Sequence, residues 1–196
     1  RVIQLGEEPS SVFHVGALGI DNMRNFEILD RGELSQSLDI RFLANNLLVT
    51  FHPSTLESDN GLGQLRALLG ALSQLKDTCI IFTKANADTF GITFNEIIEK
   101  FVTNHHAAYF FDSLGSRNYF SMVAAVDAVV GNSSSGIIEV PSMQTPTVNI
   151  GERQSGRISA DSVINCGTSK EEIFEALKMV FSKVVQEKAI CTVNPY

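Results

Sequence analysis

Strand-like and helix-like segments alternate along the chain from Leu47 onward. Short runs of apolar and β-branched residues indicate buried strands, and segments with apolar residues at helical spacing follow them. Because parallel strands need crossover connections, the alternation predicts an α/β fold, a doubly wound parallel sheet between two layers of helices. The predicted strands are 47–51, 79–82, 107–111, 128–130, 146–150 and 163–164, and the predicted helices are 62–75, 92–102, 119–126, one beginning after Gly131, and 171–184.

The first 44 residues are less regular. We predict a short strand at 12–15 and helices at 19–29 and 33–38, too little for a domain with its own core. The sequence therefore predicts two parts, a connector over residues 1–44 and a Rossmann-like domain over residues 45–196.

Small hydroxyl residues follow the fourth predicted strand. The strand stops at Gly131, and Ser133 and Ser134 come before a helical pattern that contains Glu139. The first N–H groups of a helix lack intrahelical partners, and together with the helix dipole they attract anions. The serines add donors, so the segment favours a diphosphate, and Glu139 is placed to accept from a sugar diol as acidic residues do on ribose. An ordinary helix with a serine cap is the alternative.

A serine hydrolase is disfavoured by the same segment. The stretch from Gly131 to Gly136 is one residue longer than the G-x-S-x-G nucleophile elbow, and that fold places its histidine after the serine. All four histidines of this chain come before it. Asn132 also begins a glycosylation sequon, which is a weak signal at three residues.

Polar side chains follow the other predicted strands as well. In doubly wound sheets ligands bind beyond the carboxyl ends of the strands, so these residues are expected to share one edge. Each has an ordinary structural explanation alone, but imidazole, amide, hydroxyl and guanidinium groups together suit a pyrophosphate and a nucleoside. The set comprises His52, Asn86, Asp112, Ser113, Ser133, Ser134 and Arg153.

Charge and cysteine usage narrow the possible partners. A net charge of -7 and a pI near 5.1 disfavour general nucleic-acid binding, which normally needs a basic face. The three cysteines have no metal-ligand spacing, and Cys79 begins an apolar strand where a reduced thiol is usual.

With no transmembrane-length apolar run and no signal peptide, we predict a cytoplasmic protein. Since the chain opens at Arg1 without a methionine, we expect it to be part of a longer protein.

Five motifs follow one another along the chain: 51–57 (FHPSTLE), 86–88 (N-A-D), 115–119 (GSRNY), 131–139 (GNSSSGIIE) and 149–157 (NIGERQSGR). In this order they resemble the UDP-N-acetylglucosamine 2-epimerase family, and its hydrolysing branch most closely. Two further segments, 1–7 and 15–22, are similar to the stretch that leads out of that family's first domain, so the resemblance covers nearly the whole chain.

The resemblance implies a two-domain enzyme of glycosyltransferase-B shape, of which this chain is the second half. It implies that UDP leaves the substrate as C2 loses its proton, and that water then adds with inversion at C2 to give N-acetylmannosamine for sialic acid synthesis. The acid/base carboxylates would lie in the first domain, so the chain alone would bind UDP without catalysis. Carried over by motif, Ser133 and Ser134 bind the diphosphate, Glu139 the ribose, Asn86 and Arg153 the nucleotide, and His52 acts near the leaving phosphate.

Other functions remain open from the sequence. A non-hydrolysing epimerase or a glycosyltransferase of the same shape shares some of these features, and relatives that act on diacetylated bacillosamine share the motifs. We expect a UDP-sugar as the ligand, no cofactor or metal, no nucleic-acid or membrane partner, and a homo-oligomer for the full-length protein.

Overall fold

The computed structural model describes residues 1–54, 59–85 and 89–196. Its centre is a six-stranded sheet in which each neighbouring pair of strands is parallel, so the predicted doubly wound α/β fold is confirmed. The strands are β1 (Asn45–Thr50), β2 (Thr78–Thr83), β3 (Ala108–Phe111), β4 (Ala128–Gly131), β5 (Thr147–Ile150) and β6 (Val163–Cys166). The α-helices are α1 (Leu18–Met23), α2 (Arg31–Leu38), α3 (Leu62–Leu72), α4 (Thr89–Thr103), α5 (Gly115–Ala125), α6 (Ser135–Ile138), α7 (Lys170–Val180) and α8 (Lys183–Ile190).

The strand order β3-β2-β1-β4-β5-β6 places β1 and β4 side by side at the centre of the sheet. The chain winds outward from β1 in one direction and from β4 in the other, so the order reverses between these two strands. In open α/β sheets such a reversal leaves a crevice at the carboxyl ends of the two central strands. Thr50 lies opposite Gly131 in the β1–β4 register, and their pairing fixes where the crevice begins.

Two hydrophobic cores cover the two faces of the sheet. Side chains alternate along a strand, and accordingly Leu47 and Val49 of β1 enter one core while Leu48 enters the other. The first core packs under α3, α4 and α7, and the second under α2 and α5. Burying a Leu or Val side chain completely contributes about 1.5–3 kcal/mol, so both faces strongly hold the sheet in register.

The N-terminal predictions were partly wrong. Residues 12–15 form no strand, and Phe13 and Val15 are 78% and 76% exposed, because no neighbouring strand pairs with them. The helix predicted over 19–29 ends at Met23, where Ile20 and Met23 complete a small cluster with Phe120. The helix predicted at 33–38 begins at Arg31 instead, because Asp30 and Glu33 form a capping box.

Two of the predicted helices of the domain are interrupted in the structure. The helix predicted over 171–184 is two helices, α7 and α8, because the extended backbone of Ser182 and its Oγ, which accepts from the N–H of Val185, start a new helix. The helix after Gly131 is the single turn α6, followed by a 3-10 turn (Val140–Met143) that contains Pro141. Proline has no N–H to donate to the preceding turn, so α6 cannot continue.

The predicted reduced state of Cys79 fits its surroundings. The thiol is buried among apolar side chains, and burial raises its pKa to about 12. Within the described residues, no helix combines the length and apolar character needed to cross a membrane.

Candidate functional site at the carboxyl edge of the sheet

The turn that leaves β4 lies against the end of β1. Gly131 has a φ of 142°, and a Cβ at this position would lie 2.8 Å from the carbonyl carbon of Thr50 and closer still to its oxygen. Any other residue would therefore collide with the β1 backbone and adopt an unfavourable conformation. Glycine lets the chain turn directly over the crevice between the two central strands.

The serines that follow present hydrogen-bond donors at this turn. Ser133, Ser134 and Ser135 are each partly exposed, and the N–H groups of Ser133 and Ser134 have no acceptor among the residues that the structure describes. The N–H of Ser135 is held by the Oγ of Ser133 at 3.4 Å. Because α6 is one turn long, its dipole is small, and the anion-attracting character expected here comes from the individual N–H and hydroxyl groups instead.

Asn132 connects this turn to two other predicted site residues. It is 1% exposed, and its side chain bonds both main-chain groups of His52, Oδ1 accepting from the N–H at 2.8 Å and Nδ2 donating to the carbonyl at 2.9 Å. Its own carbonyl accepts from Nη1 of Arg153 at 3.1 Å and from Nε2 of Gln154 at 2.8 Å. The structure thus brings His52, the serine turn and Arg153 together at the carboxyl ends of β1, β4 and β5.

Arg153 is an exposed cation at this edge. In the described parts of the chain no carboxylate pairs with its guanidinium, so the bond to the carbonyl of Asn132 leaves most of its five N–H donors available. Arginine suits planar anions because it can donate two parallel hydrogen bonds.

Glu139 follows α6 directly and lies against the start of α1. Its Oε2 is buried and has no hydrogen-bond partner among the described residues. A Cβ at Gly19 would be 2.5 Å from its Oε1, so the carboxylate rests directly on the backbone of α1. Glu139 as a whole is partly exposed, but a buried carboxylate oxygen without a donor is costly and calls for an explanation beyond packing.

A cavity of about 380 Å³ opens between the serine turn and the loop after β3. Asp112 and Ser113, which were expected at this edge, line it together with Ser133. Its wall also includes Lys84 and Tyr119, which the sequence analysis did not select. A second cavity, of about 420 Å³, lies beyond β5 and β6 and is lined in part by Asn149, Gln154, Arg157 and Asn165.

Lys84 and Tyr119 change the electrostatics of the first cavity. Lys84 forms an ion pair with Asp112, so the cavity floor is closer to neutral than Asp112 alone would make it. The hydroxyl of Tyr119 bonds Ser135 Oγ at 2.8 Å, and burial, reinforced by the nearby charge of Glu139, raises the pKa of Tyr119 to about 12. Lys84 follows β2 directly, and its place at a strand end was a signal that could have identified it.

Asn86 lies outside the described residues. Within those residues, no three His, Cys, Asp or Glu side chains come together as metal ligands.

Comparison with known proteins agrees with this architecture. The sequence profile of UDP-N-acetylglucosamine 2-epimerase matches residues 1–196. GDP/UDP-N,N'-diacetylbacillosamine 2-epimerase (hydrolyzing) of Campylobacter jejuni is 39% identical over 91% of this chain and 47% of its own length. Polysialic acid biosynthesis protein P7 of Escherichia coli is 37% identical over 100% of this chain and 50% of its own length. Among solved structures, the S. aureus MnaA–UDP co-structure has a TM-score of 0.74 at 16% identity over 100% of this chain and 53% of that one.

The fold is that of a Rossmann-like domain of the glycosyltransferase-B type. The profile match over residues 1–196 and the two relatives above 30% identity place the sequence more narrowly: the chain belongs to the UDP-N-acetylglucosamine 2-epimerase family. It spans about half the length of the curated relatives it matches.

Proposed function

We propose that the parent protein is a hydrolysing UDP-N-acetylglucosamine 2-epimerase and that residues 45–196 bind the UDP part of its substrate, with residues 1–44 as a connector. The supporting observation is that open donors gather at one edge of the sheet: the N–H groups of Ser133 and Ser134 at the turn after β4, and the exposed guanidinium of Arg153, which donates to the carbonyl of Asn132. Two main-chain donors and a cation match the acceptor oxygens of a diphosphate.

Each predicted site residue has a role in this proposal. Ser133, Ser134 and Arg153 bind the diphosphate, and Glu139 accepts from the ribose hydroxyls. His52, held beside the turn by Asn132, stabilises the charge that develops on the departing UDP. Asn86 contacts the nucleotide.

The proposed reaction breaks two bonds of the sugar and forms two others. A base supplied outside this chain takes the proton from C2, the C1–O bond breaks anti to it, and UDP leaves with the bonding electrons. Water then adds across the resulting glycal double bond, its hydroxyl to C1 and a proton to C2 on the opposite face. The products are N-acetylmannosamine and UDP.

A second candidate substrate is the UDP or GDP derivative of N,N'-diacetylbacillosamine. The supporting observation is the 39% identity to the Campylobacter jejuni enzyme whose name states that activity. The full-length protein, incubated with each sugar nucleotide and no acceptor, distinguishes these substrates by its product. A glycosyltransferase would form no 2-epimerised sugar under these conditions.

The binding part of the proposal can be tested on the 196-residue chain by isothermal titration. UDP is expected to bind better than uridine, because the diphosphate contributes its own contacts, and the difference is expected to shrink as salt is added. Equal affinity for UDP and uridine would contradict the placement of the diphosphate. We also propose a cytoplasmic location. We further propose that the full-length protein is a homo-oligomer, and size-exclusion chromatography with light scattering would test this oligomeric state.

A further inference from the structure

The peptide bond between Asn132 and Ser133 is fixed in one orientation. Its carbonyl accepts from both Gln154 and Arg153, so two donors on another loop hold the oxygen. Gln154 is 6% exposed, and its carboxamide therefore has little freedom to turn elsewhere. The side chain of Asn132 is equally constrained by the main chain of His52.

The orientation of the carbonyl determines the direction of the neighbouring N–H. The described chain contains no cis peptide bond, and in a trans peptide the C=O and N–H groups point in opposite directions. With its carbonyl held by Gln154 and Arg153, the peptide directs the N–H of Ser133 away from their loop. That N–H has no acceptor in the described structure, and Ser133 lines the 380 Å³ cavity. Donors on a carbonyl also polarise the N–H of the same peptide and strengthen it as a donor.

We propose that Asn132 and Gln154 are positioning residues that aim the N–H of Ser133 at the diphosphate and hold His52 beside it. This inference rests on the proposed function. Neither side chain needs to touch the ligand: Gln154 acts through the carbonyl of Asn132, and Asn132 acts through its own peptide and through the backbone of His52. His52 and Asn132 are 80 positions apart in the sequence, and the two hydrogen bonds between them fix the distance between the leaving-group region and the phosphate turn.

Gln154→Met is the most direct test, since it removes the donor and keeps a side chain of similar length. Titration of the 196-residue chain with UDP and with uridine is expected to show UDP affinity lowered by roughly tenfold, the size of one lost hydrogen bond to a charged group. Uridine affinity is expected to be unchanged, because only the diphosphate contact depends on the peptide. In amide NMR spectra, the Ser133 signal is expected to shift in the variant before any ligand is added.

Asn132→Ala has a matched control at the opposite edge of the sheet. Asn46 is also buried and makes the same paired bonds, to the N–H and carbonyl of Leu43 at 2.9 and 3.0 Å. Both alanine variants are expected to lower the melting temperature, but only Asn132→Ala is expected to lower the UDP-to-uridine affinity ratio. If Asn132→Ala does not fold, Gln154→Met decides the result.

The possible results separate the inference from the proposed function. Wild-type protein that binds UDP no better than uridine would overturn both. Wild-type protein that prefers UDP, together with a folded Gln154→Met variant that keeps the full preference, would overturn the positioning role alone. A ratio lowered equally by Asn46→Ala would also overturn it, because loss of stability would then explain the effect.

Discussion

Replacing Glu139 by glutamine is expected to raise stability and to weaken nucleotide binding at the same time. Its Oε2 is buried without a partner, and its Oε1 lies against the backbone at Gly19. An unsatisfied buried polar group costs about 1–3 kcal/mol, and more when charged. The glutamine keeps the shape and removes the charge, so we expect the free energy of unfolding to rise by about 1 kcal/mol. For a chain of this size that corresponds to a melting temperature about 2–4 °C higher.

The same substitution removes the group proposed to accept from the ribose. Hydrogen bonds to a charged group contribute about 1.5–3 kcal/mol, and the remaining amide oxygen can replace one of them, so roughly a tenfold loss of UDP affinity is expected. Uridine affinity should fall by the same factor, because both ligands carry the ribose. This parallel loss distinguishes Glu139 from the residues assigned to the diphosphate.

A double-mutant cycle with a modified ligand gives the sharpest measurement. Wild-type protein is expected to bind UDP more tightly than 2'-deoxy-UDP, and Glu139→Gln is expected to bind the two more nearly alike, because the variant has lost the partner of the 2'-hydroxyl. Glu175→Gln, an exposed carboxylate on α7, serves as the control and should change neither affinity nor preference. A Glu139→Gln variant that melts lower and keeps the full preference for UDP would show that the carboxylate stabilises α1 instead.

Four further predictions concern other parts of the site. Arg153→Lys should weaken UDP binding about tenfold or more, measured by titration, at an unchanged melting temperature, because lysine cannot donate two parallel hydrogen bonds. Unchanged UDP affinity with a lower melting temperature would show that Arg153 has a structural role. His52→Asn in the full-length protein should lower kcat for UDP release by about 10²- to 10⁴-fold and affect KM less, and turnover within about twofold of wild type would refute the role. The pKa of Tyr119 is about 12 in the fold and about 10 in the unfolded chain, so between these pH values the unfolded chain binds fewer protons and the free energy of unfolding should fall by roughly 1 kcal/mol per pH unit. In urea titrations Tyr119→Phe should lose that part of the pH dependence, and an unchanged pH dependence would contradict the raised pKa. Gly131→Ala should lower stability by more than about 3 kcal/mol, since backbone must move away from Thr50, and a urea midpoint close to wild type would refute the steric argument.

The fold could be predicted because its signals are local. Each strand is a short apolar run and each long helix shows its own periodicity, so alternation was enough to give the layers of the sheet. The failures were local as well. Residues 12–15 have strand-forming side chains, but a strand needs a partner, and the segment has none. The helix that begins after Gly131 stops after the single turn α6, because Pro141 lacks the N–H that would continue it.

The site was only partly predictable because its key contacts are distant in sequence. The strand-end rule placed Asp112, Ser113 and Ser133 at one edge without any contact information. The sequence marks Asn132 only as the start of a sequon, because nothing in its neighbourhood indicates that it bonds a residue 80 positions earlier. The burial of Glu139 against Gly19 was equally invisible, because α1 lies more than 100 residues before it in the chain.

The pairing of β1 with β4 has a consequence for how the molecule folds. Residues that form the crevice are separated by three crossover connections, through α3, α4 and α5, so their contacts have high sequence separation and are expected to close late and slowly. During synthesis the N-terminal strands β1, β2 and β3 can associate first, whereas the crevice cannot exist until β4 has joined them. A ligand of the crevice would therefore recognise only chains that have completed this last central pairing, and by mass action it would draw the population toward them.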